Sequence, residues 1–285
     1  MQEFTGRVAV ITGAASGIGL ALAERFAAEG MRVVLADVEQ EALTRAEEHL
    51  RSAGAQVAAF RCDVSRADEV ERLASASVEA FGAVHIVCNN AGVADTSAAS
   101  VWDSSLADWE WVVGVNLWGV IHGIRSFVPL LLQQEEGHVV NTASAAGLLP
   151  AHLGSYSVTK HAVVALSEAL HAELAAIGAR VGVSVLCPGV VTTRILEASR
   201  NRPVGTPPNT AVPNPATRRI MDSLRERIPT ATQPSAIAAC VLDAIRDRRL
   251  YVLPHPAILE QVRQRTEDIE RGRPREDPAL AAGAR

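Results

Sequence analysis

The 285-residue sequence predicts one α/β domain, a doubly wound parallel sheet of seven strands with helices on both faces. Three observations predict it. Short strand-like apolar runs alternate with longer helical patterns, the order expected of βαβ units. The runs are apolar almost throughout, as strands covered on both faces are. A glycine-rich turn joins the first run to the first helical pattern. With 48% hydrophobic and 21% charged residues the chain has the material for a large core, whereas disordered chains are apolar-poor.

The first run, Arg7 to Thr12, leads through Gly13 into a helix after Gly17, where Ile18, Leu22 and Phe26 share a face and Gly30 caps the end. Arg32 to Asp37 is the second strand, and Leu43, Ala46 and Leu50 stripe the helix that runs to Gly54. After a third run, Gln56 to Asp63, Ser65 with Asp68 reads as a capping box for a helix stopping at Gly82. Val84 to Asn89 follows as a strand, then a second capping box, Ser105 with Asp108, opens a long helix through Asn116. His138 to Ala143 is the fifth strand, and Val163, Leu166, Leu170 and Leu174 mark a helix from Ser155 to Ile177. Arg180 to Cys187 and a short Leu250 to Leu253 run complete the sheet.

One region breaks the alternation. Val190 to Gln233 holds six prolines (Pro203, Pro207, Pro208, Pro213, Pro215 and Pro229), which exclude a central strand. Its Ile195, Leu196, Ile220, Met221 and Leu224 suit short helices, so residues 190–233 are expected to form a substrate-covering lid. Residues 267–285 are expected to be a frayed helix end or a disordered tail.

Charge and composition narrow the functions. The net charge is −5 and no dense Lys/Arg run occurs, so nucleic acid is not an expected partner. No basic region precedes a long apolar stretch near Met1, and the greasy region from Val112 to Leu132 is interrupted by Asn116, His122, Arg125 and Pro129. Neither a secretory signal nor a membrane helix is expected. The cysteines, Cys62, Cys88, Cys187 and Cys240, are scattered without a CxxC pair, which points to buried free thiols in a reducing cytoplasm and no metal site.

Gly13, Gly17 and Gly19, with Ser16 and Ile18 between them, form a GxxxGxG turn between strand and helix. Glycines there let the backbone approach a pyrophosphate, whose charge the helix N-terminus stabilises. A short glycine motif is weak alone, but the second strand ends in an acid, Asp37, placed to accept hydrogen bonds from both adenosine ribose hydroxyls. A 2′-phosphate would meet a like charge there, and no Arg or Lys stands at Ala14, Ala15 or Val38. The expected cofactor is NAD rather than NADP in a Rossmann-type domain. A rival reading of Asp37, as the cap of the helix starting near Glu39, uses the same position.

Tyr156 and Lys160, four apart at a helix start, share a face. A nearby ammonium and a positive nicotinamide ring would favour phenolate, making Tyr156 a base poised nearer neutrality. Ser144 ends the fifth strand at the carboxyl edge, where ligands bind in such sheets.

Thr12 to Gly19, Asn89 to Gly92, Asn116 in VNLWG, Ser144, the Tyr156 to Lys160 segment and Pro188-Gly189 resemble, in order and approximate spacing, the motifs of the short-chain dehydrogenase/reductase family. The resemblance covers roughly residues 5–195. It implies strand order 3-2-1-4-5-6-7 and a catalytic set of Asn116, Ser144, Tyr156 and Lys160. By the same resemblance Asn116 positions a water linking Lys160 to solvent, and Asp63 and Val64 flank the adenine. Asn90, Ala91 and Gly92 line the cofactor floor, while Pro188, Gly189, Val191 and Thr193 sit against the nicotinamide carboxamide. Ser144 and Tyr156 are twelve residues apart where many relatives have thirteen, so the intervening loop shape is in doubt.

The expected reaction interconverts a hydrophobic secondary alcohol and its ketone. Leu148, Leu149, Pro150, Leu153, Ile195 and Leu196 suit an apolar pocket, core packing being an equal reading, and His152 reads either as facing substrate or, more commonly for a lone loop histidine, as exposed. RILEASRNRP and YVLPHP resemble the branch containing bacterial aryl-alcohol Cα-dehydrogenases. Trp102, Trp109 and Trp111 read as helix packing or a subunit contact. The resemblance implies a homodimer or homotetramer through the helices containing Asn116 and Tyr156. An NADP-dependent ketoreductase of biosynthesis is the nearest alternative, and a non-catalytic NAD-sensing regulator a more distant one.

Overall fold

The structure is a computed structural model that describes residues 1–97, 99–149, 153–207, 211–212 and 214–273. Its sheet has seven strands in the order β3-β2-β1-β4-β5-β6-β7: β1 Val8–Thr12, β2 Arg32–Asp37, β3 Val57–Arg61, β4 Ile86–Asn89, β5 Gly137–Thr142, β6 Val181–Leu186 and β7 Tyr251–Val252. Each neighbouring pair is parallel. β1 pairs with both β2 and β4, so the order reverses beside it and leaves a crevice at the carboxyl ends of the strands.

The strand period of two sorts side chains between two cores. Ala9 and Ile11 of β1 face helices α1 (Gly17–Ala28), α2 (Gln40–Ser52) and α8 (Pro234–Asp247), through Leu22, Phe26, Leu43, Leu50, Ile237 and Leu242 among others. Val8 and Val10 face α3 (Ala67–Phe81), α5 (Gly119–Leu131) and α6 (Gly154–Ala176), through Leu73, Phe127, Leu131 and Leu170. The five inner strands are buried on both faces, which explains their almost unbroken apolar runs, while the edge strands β3 and β7 are only partly covered.

The long helix through Asn116 is not regular. α4 (Leu106–Val113) passes into a π-helical turn at Gly114–Trp118 before α5 begins, and Ser105 caps α4 by accepting from the Asp108 N–H as its motif predicts. Residues Leu106–Leu131 are long and apolar enough to cross a membrane by length and composition. In this fold Val112, Val120, Phe127 and Leu131 from that run are buried against the sheet and neighbouring helices.

The Ser65–Asp68 capping box does not form. Asp63 takes both the N–H and the hydroxyl of Ser65, at 3.0 and 2.7 Å, and α3 starts after Arg66 without a side-chain cap. Within residues 190–233 lie a 3-10 stretch at Ile195–Asn201 and helix α7 (Pro215–Arg227), which Asn214 caps. A last helix, α9, spans Ala257–Glu270, so the expected tail begins as ordered helix; residues 274–285 lie outside the described residues, as do Pro208 and Pro213. Cys62, Cys88 and Cys187 are buried free thiols and Cys240 is partly buried. No cluster able to hold a metal occurs among the described residues.

Candidate active site

A cleft of about 400 Å³ runs along the carboxyl edge of the sheet from the glycine turn to α7. At one end the β1–α1 turn is laced to the end of β4. The Thr12 hydroxyl accepts from the N–H groups of Asn90 and Ala91, at 2.9 and 3.1 Å, and the Asn90 amide donates to the Thr12 carbonyl at 2.9 Å. Gly13 has φ +65°, and a Cβ there would stand 2.9 Å from the Ala91 Cα; at Gly19 it would meet the Gly13 carbonyl oxygen at 2.1 Å. Both positions exclude any side chain. Ser16 makes no side-chain cap at α1, so that helix presents its first N–H groups to the cleft, beside Gly17 and Ile18 in the wall.

Asp37 ties the glycine turn to the next helix, as the capping reading expects. Its oxygens accept from the N–H groups of Ala15 and Glu39, each at 3.0 Å, so it secures the glycine turn and the start of α2, and it also lines the cleft. Burial raises its pKa against the pull of those backbone bonds. The cation that sequence inspection did not place here comes from far along the chain. The Arg200 guanidinium is 2.8 Å from Glu39 Oε1, and the Asn201 amide donates to the same oxygen at 2.9 Å. Against partial burial, these partners hold Glu39 below the ordinary carboxylate value. Asp63 and Val64 line the adjoining wall with Cys62 and Ser65.

At the other end Ser144, Tyr156 and Lys160 converge where β5 stops. The Tyr156 hydroxyl is hydrogen-bonded to Ser144. Lys160 is 3% exposed, donates from Nζ to the Thr142 carbonyl at 2.8 Å, and its Nζ lies 5.6 Å from the centre of the Tyr156 ring. Burial pushes the ammonium down to about 8. The polypeptide by itself does not depress the phenol as the sequence reading supposed: burial raises Tyr156, and the Ser144 hydrogen bond offsets that in part. In an enclosed site the desolvation of a phenolate outweighs the pull of a lysine whose own charge is disfavoured.

Asn116 sits in the π turn, is fully buried and does not line the cleft. Its amide is engaged with the Val93 N–H at 2.8 Å, the Val93 carbonyl at 2.9 Å and the Thr159 hydroxyl at 3.3 Å. It thereby fixes the segment after β4 that carries Asn90, Ala91 and Gly92, all three of which line the cleft. Ser155 and Ser157, which flank Tyr156, are buried away from the cleft wall.

Pro188, Gly189, Val191 and Thr193 line the cleft as well, the Pro188 carbonyl accepting from the Ala145 N–H beside Ser144 at 2.8 Å. Of the expected apolar lining, Leu153, Ile195 and Leu196 are in place; Leu148 packs instead into the core beside Val163 and Val185, and Leu149 is buried outside the wall. Pro150 and His152 lie outside the described residues. Three lining groups came without a local signal: Trp111, Val115 and Ile228 join Met221 and Leu224 of α7. Trp111 therefore faces the cleft as well as packing the helix, and the Arg202 guanidinium rests 5.5 Å from its ring centre. Arg202 also pairs with the fully buried Asp108 at 2.5 Å, pinning residues 195–202 to α4.

The short chain dehydrogenase family model matches residues 7–203. A 1-deoxy-11-beta-hydroxypentalenate dehydrogenase of Streptomyces exfoliatus is 43% identical over 193 residues, 67% of this chain and 70% of its own length. A C alpha-dehydrogenase of Sphingobium sp. is 31% identical over 297 residues, 99% of this chain and 95% of its own. A short chain dehydrogenase/reductase from Burkholderia phymatum, solved in complex with NAD, superposes with a TM-score of 0.92 at 48% identity, covering 98% of this chain and 99% of that one.

Proposed function

The chain belongs to the short-chain dehydrogenase family, and from that premise we propose that it is an NAD-dependent enzyme interconverting a hydrophobic secondary alcohol and its ketone. That it is an oxidoreductase acting on hydroxyl groups with a nicotinamide cofactor is the coarser statement the family carries. The convergence of Ser144, Tyr156 and Lys160 on one point of the cleft supports the finer one.

The residues present fit the cofactor. The turn that is bare of side chains at Gly13, Gly17 and Gly19 would hold its pyrophosphate, Asp37 its adenosine ribose, and Asp63 and Val64 would flank the adenine. Asn90 to Gly92, Pro188, Gly189, Val191 and Thr193 would enclose the nicotinamide end, with Lys160 on that ribose. When bound, the nicotinamide ring supplies the hydride acceptor. Tyr156 takes the proton from the substrate hydroxyl, and Ser144 donates a hydrogen bond to the same oxygen. The buried Lys160 charge favours the phenolate at the moment it is needed. Asn116 has its amide committed to Val93 and Thr159, which favours the main chain of the π turn as the holder of a water beside Lys160. Reduction runs the same path in reverse.

Trp111, Val115, Met221, Leu224 and Ile228 favour an apolar substrate, and the names of the two curated relatives agree with oxidation at a hydroxyl-bearing carbon. Residues 190–233 act as the lid. Exposed Leu106, Trp118 and Val158 on α4, the π turn and α6 support a homodimer or homotetramer through those helices. The free thiols support a cytoplasmic location.

A second reading, an NADP-dependent ketoreductase, has one observation in its favour: Arg200 stands near the position of a 2′-phosphate, although Glu39 already neutralises it. Both cofactors should be assayed against panels of steroids, aryl alcohols and cyclic alcohols. With the responding substrate, Tyr156→Phe is expected to lower turnover by about 10² to 10⁴-fold while cofactor binding is nearly kept. Turnover within a few-fold of the parent would remove Tyr156 from this role.

A further inference from the structure

Beyond the end of β6 the chain must take a defined path, because Gly189, Val191 and Thr193 wall the cleft where the nicotinamide is assigned. The sheet secures only the first steps: the Cys187 N–H donates to the Val252 carbonyl and the Pro188 carbonyl accepts from Ala145, at 2.9 and 2.8 Å. β7 ends at Val252, so no strand remains to receive the next N–H, that of Gly189. A side chain receives it. His255, in the turn after β7, accepts from Gly189 through Nδ1 at 3.0 Å.

The other ring nitrogen, Nε2, is 3.0 Å from the Thr232 hydroxyl. An Nδ1 that accepts an N–H carries no proton, so the proton of the neutral ring sits on Nε2 and is donated to Thr232. Thr232 is itself tied to the wall: it bridges Val191, and its carbonyl accepts from the Thr192 N–H at 3.0 Å. The Thr192 hydroxyl in turn donates to the Ile228 carbonyl at 2.9 Å. One imidazole thus joins the exit of β6, the returning end of residues 190–233 and the exit of β7. A Cβ on Gly189 would lie 3.2 Å from the imidazole Cγ, so the ring lies directly against that glycine.

We infer that His255 is a positioning residue for the nicotinamide end of the cofactor site, its neutral ring holding the Gly189–Val191 backbone in the line that presents Val191 and Thr193 to the cleft. This rests on the NAD reading above. His255 does not line the cleft and touches no reacting atom.

The test compares NADH with ADP-ribose, which lacks the nicotinamide, by calorimetric titration of the parent, His255→Ala and His255→Asn. A side-chain oxygen in the asparagine variant is able to accept from Gly189 in place of Nδ1. His255→Ala is expected to weaken NADH about tenfold, the weight of one well-placed hydrogen bond, and ADP-ribose by less than about twofold. His255→Asn should recover most of the NADH affinity. Equal weakening of both ligands, unchanged NADH affinity, or an asparagine variant no better than alanine would overturn the inference. Should His255→Ala fail to fold, Thr232→Val removes the partner of Nε2 and is expected to weaken NADH about threefold with ADP-ribose unaffected; no selective loss there is equally fatal. A parent that binds neither ligand would defeat the cofactor reading itself. A parent that binds both, with variants showing no selectivity, defeats only the role of His255.

Discussion

Lys160 illustrates how the site works against the stability of the fold. Its ammonium is 3% exposed, and burial lowers its pKa from 10.5 to about 8. A base whose folded pKa lies below its unfolded value is penalised in the native state wherever it is charged. The penalty is full below about pH 8, shrinks as pH rises from there, and vanishes above the unfolded value. A shift of this size corresponds to about 3 kcal/mol at neutral pH. Lys160→Met removes the charge, keeps most of the volume, and leaves the Thr142 carbonyl without its 2.8 Å donor, a loss of about 1–3 kcal/mol. The variant should therefore be inactive yet as stable as the parent at pH 7, or more stable by up to about 2 kcal/mol. The sharper signature is its pH dependence. Between pH 7 and pH 9 the parent should gain about 1 kcal/mol relative to the variant, because its penalty is being relieved. Urea unfolding of both proteins at the two pH values measures this, and groups common to both cancel in the difference. A gap independent of pH, or a parent that loses ground as pH rises, would refute the claim that Lys160 is a penalised buried charge.

Two further substitutions probe the two ends of the cleft. Asp37→Ala should lower kcat/KM for NAD by about ten- to a hundredfold, as expected for hydrogen bonds to a charged group, and lower that for NADP much less; an unchanged ratio of the two efficiencies would refute the ribose assignment. Ser144→Ala removes the hydrogen bond that lowers the Tyr156 pKa, so it should move the limb of the pH–rate profile for alcohol oxidation about one unit towards alkali and reduce turnover. A limb that stays in place, or moves towards acid, would show that Ser144 does not act on the phenol.

The sheet was readable from sequence because burial on both faces writes itself into every residue of a strand: Arg32 to Asp37 matches β2 residue for residue, and the other runs err only at their ends. The helix stops at Gly30, Gly54, Gly82 and Gly178 were readable because each has positive φ, which glycine alone adopts freely. Ser65 misled because its hydroxyl, instead of accepting from the Asp68 N–H as a cap, turns back and donates to the Asp63 carboxylate. The π turn around Asn116 leaves no residue-level mark apart from its flanking glycines, where a Cβ on Gly119 would press into Val64 at 2.7 Å. The remaining omissions share one cause. Glu39 with Arg200, Asp108 with Arg202 and the Gly189 N–H with His255 pair groups across long stretches of chain, and only the folded sheet brings them together.

The grip of Glu39 on Arg200 and Asn201 reaches across 161 and 162 positions of sequence. It makes the lip of the nucleotide groove and the stretch Ile195–Asn201 one mechanical part. Any opening of Ile195–Asn201 must therefore break two ties, one to the head of α2 through Glu39 and one to α4 through the Asp108–Arg202 pair beside Trp111.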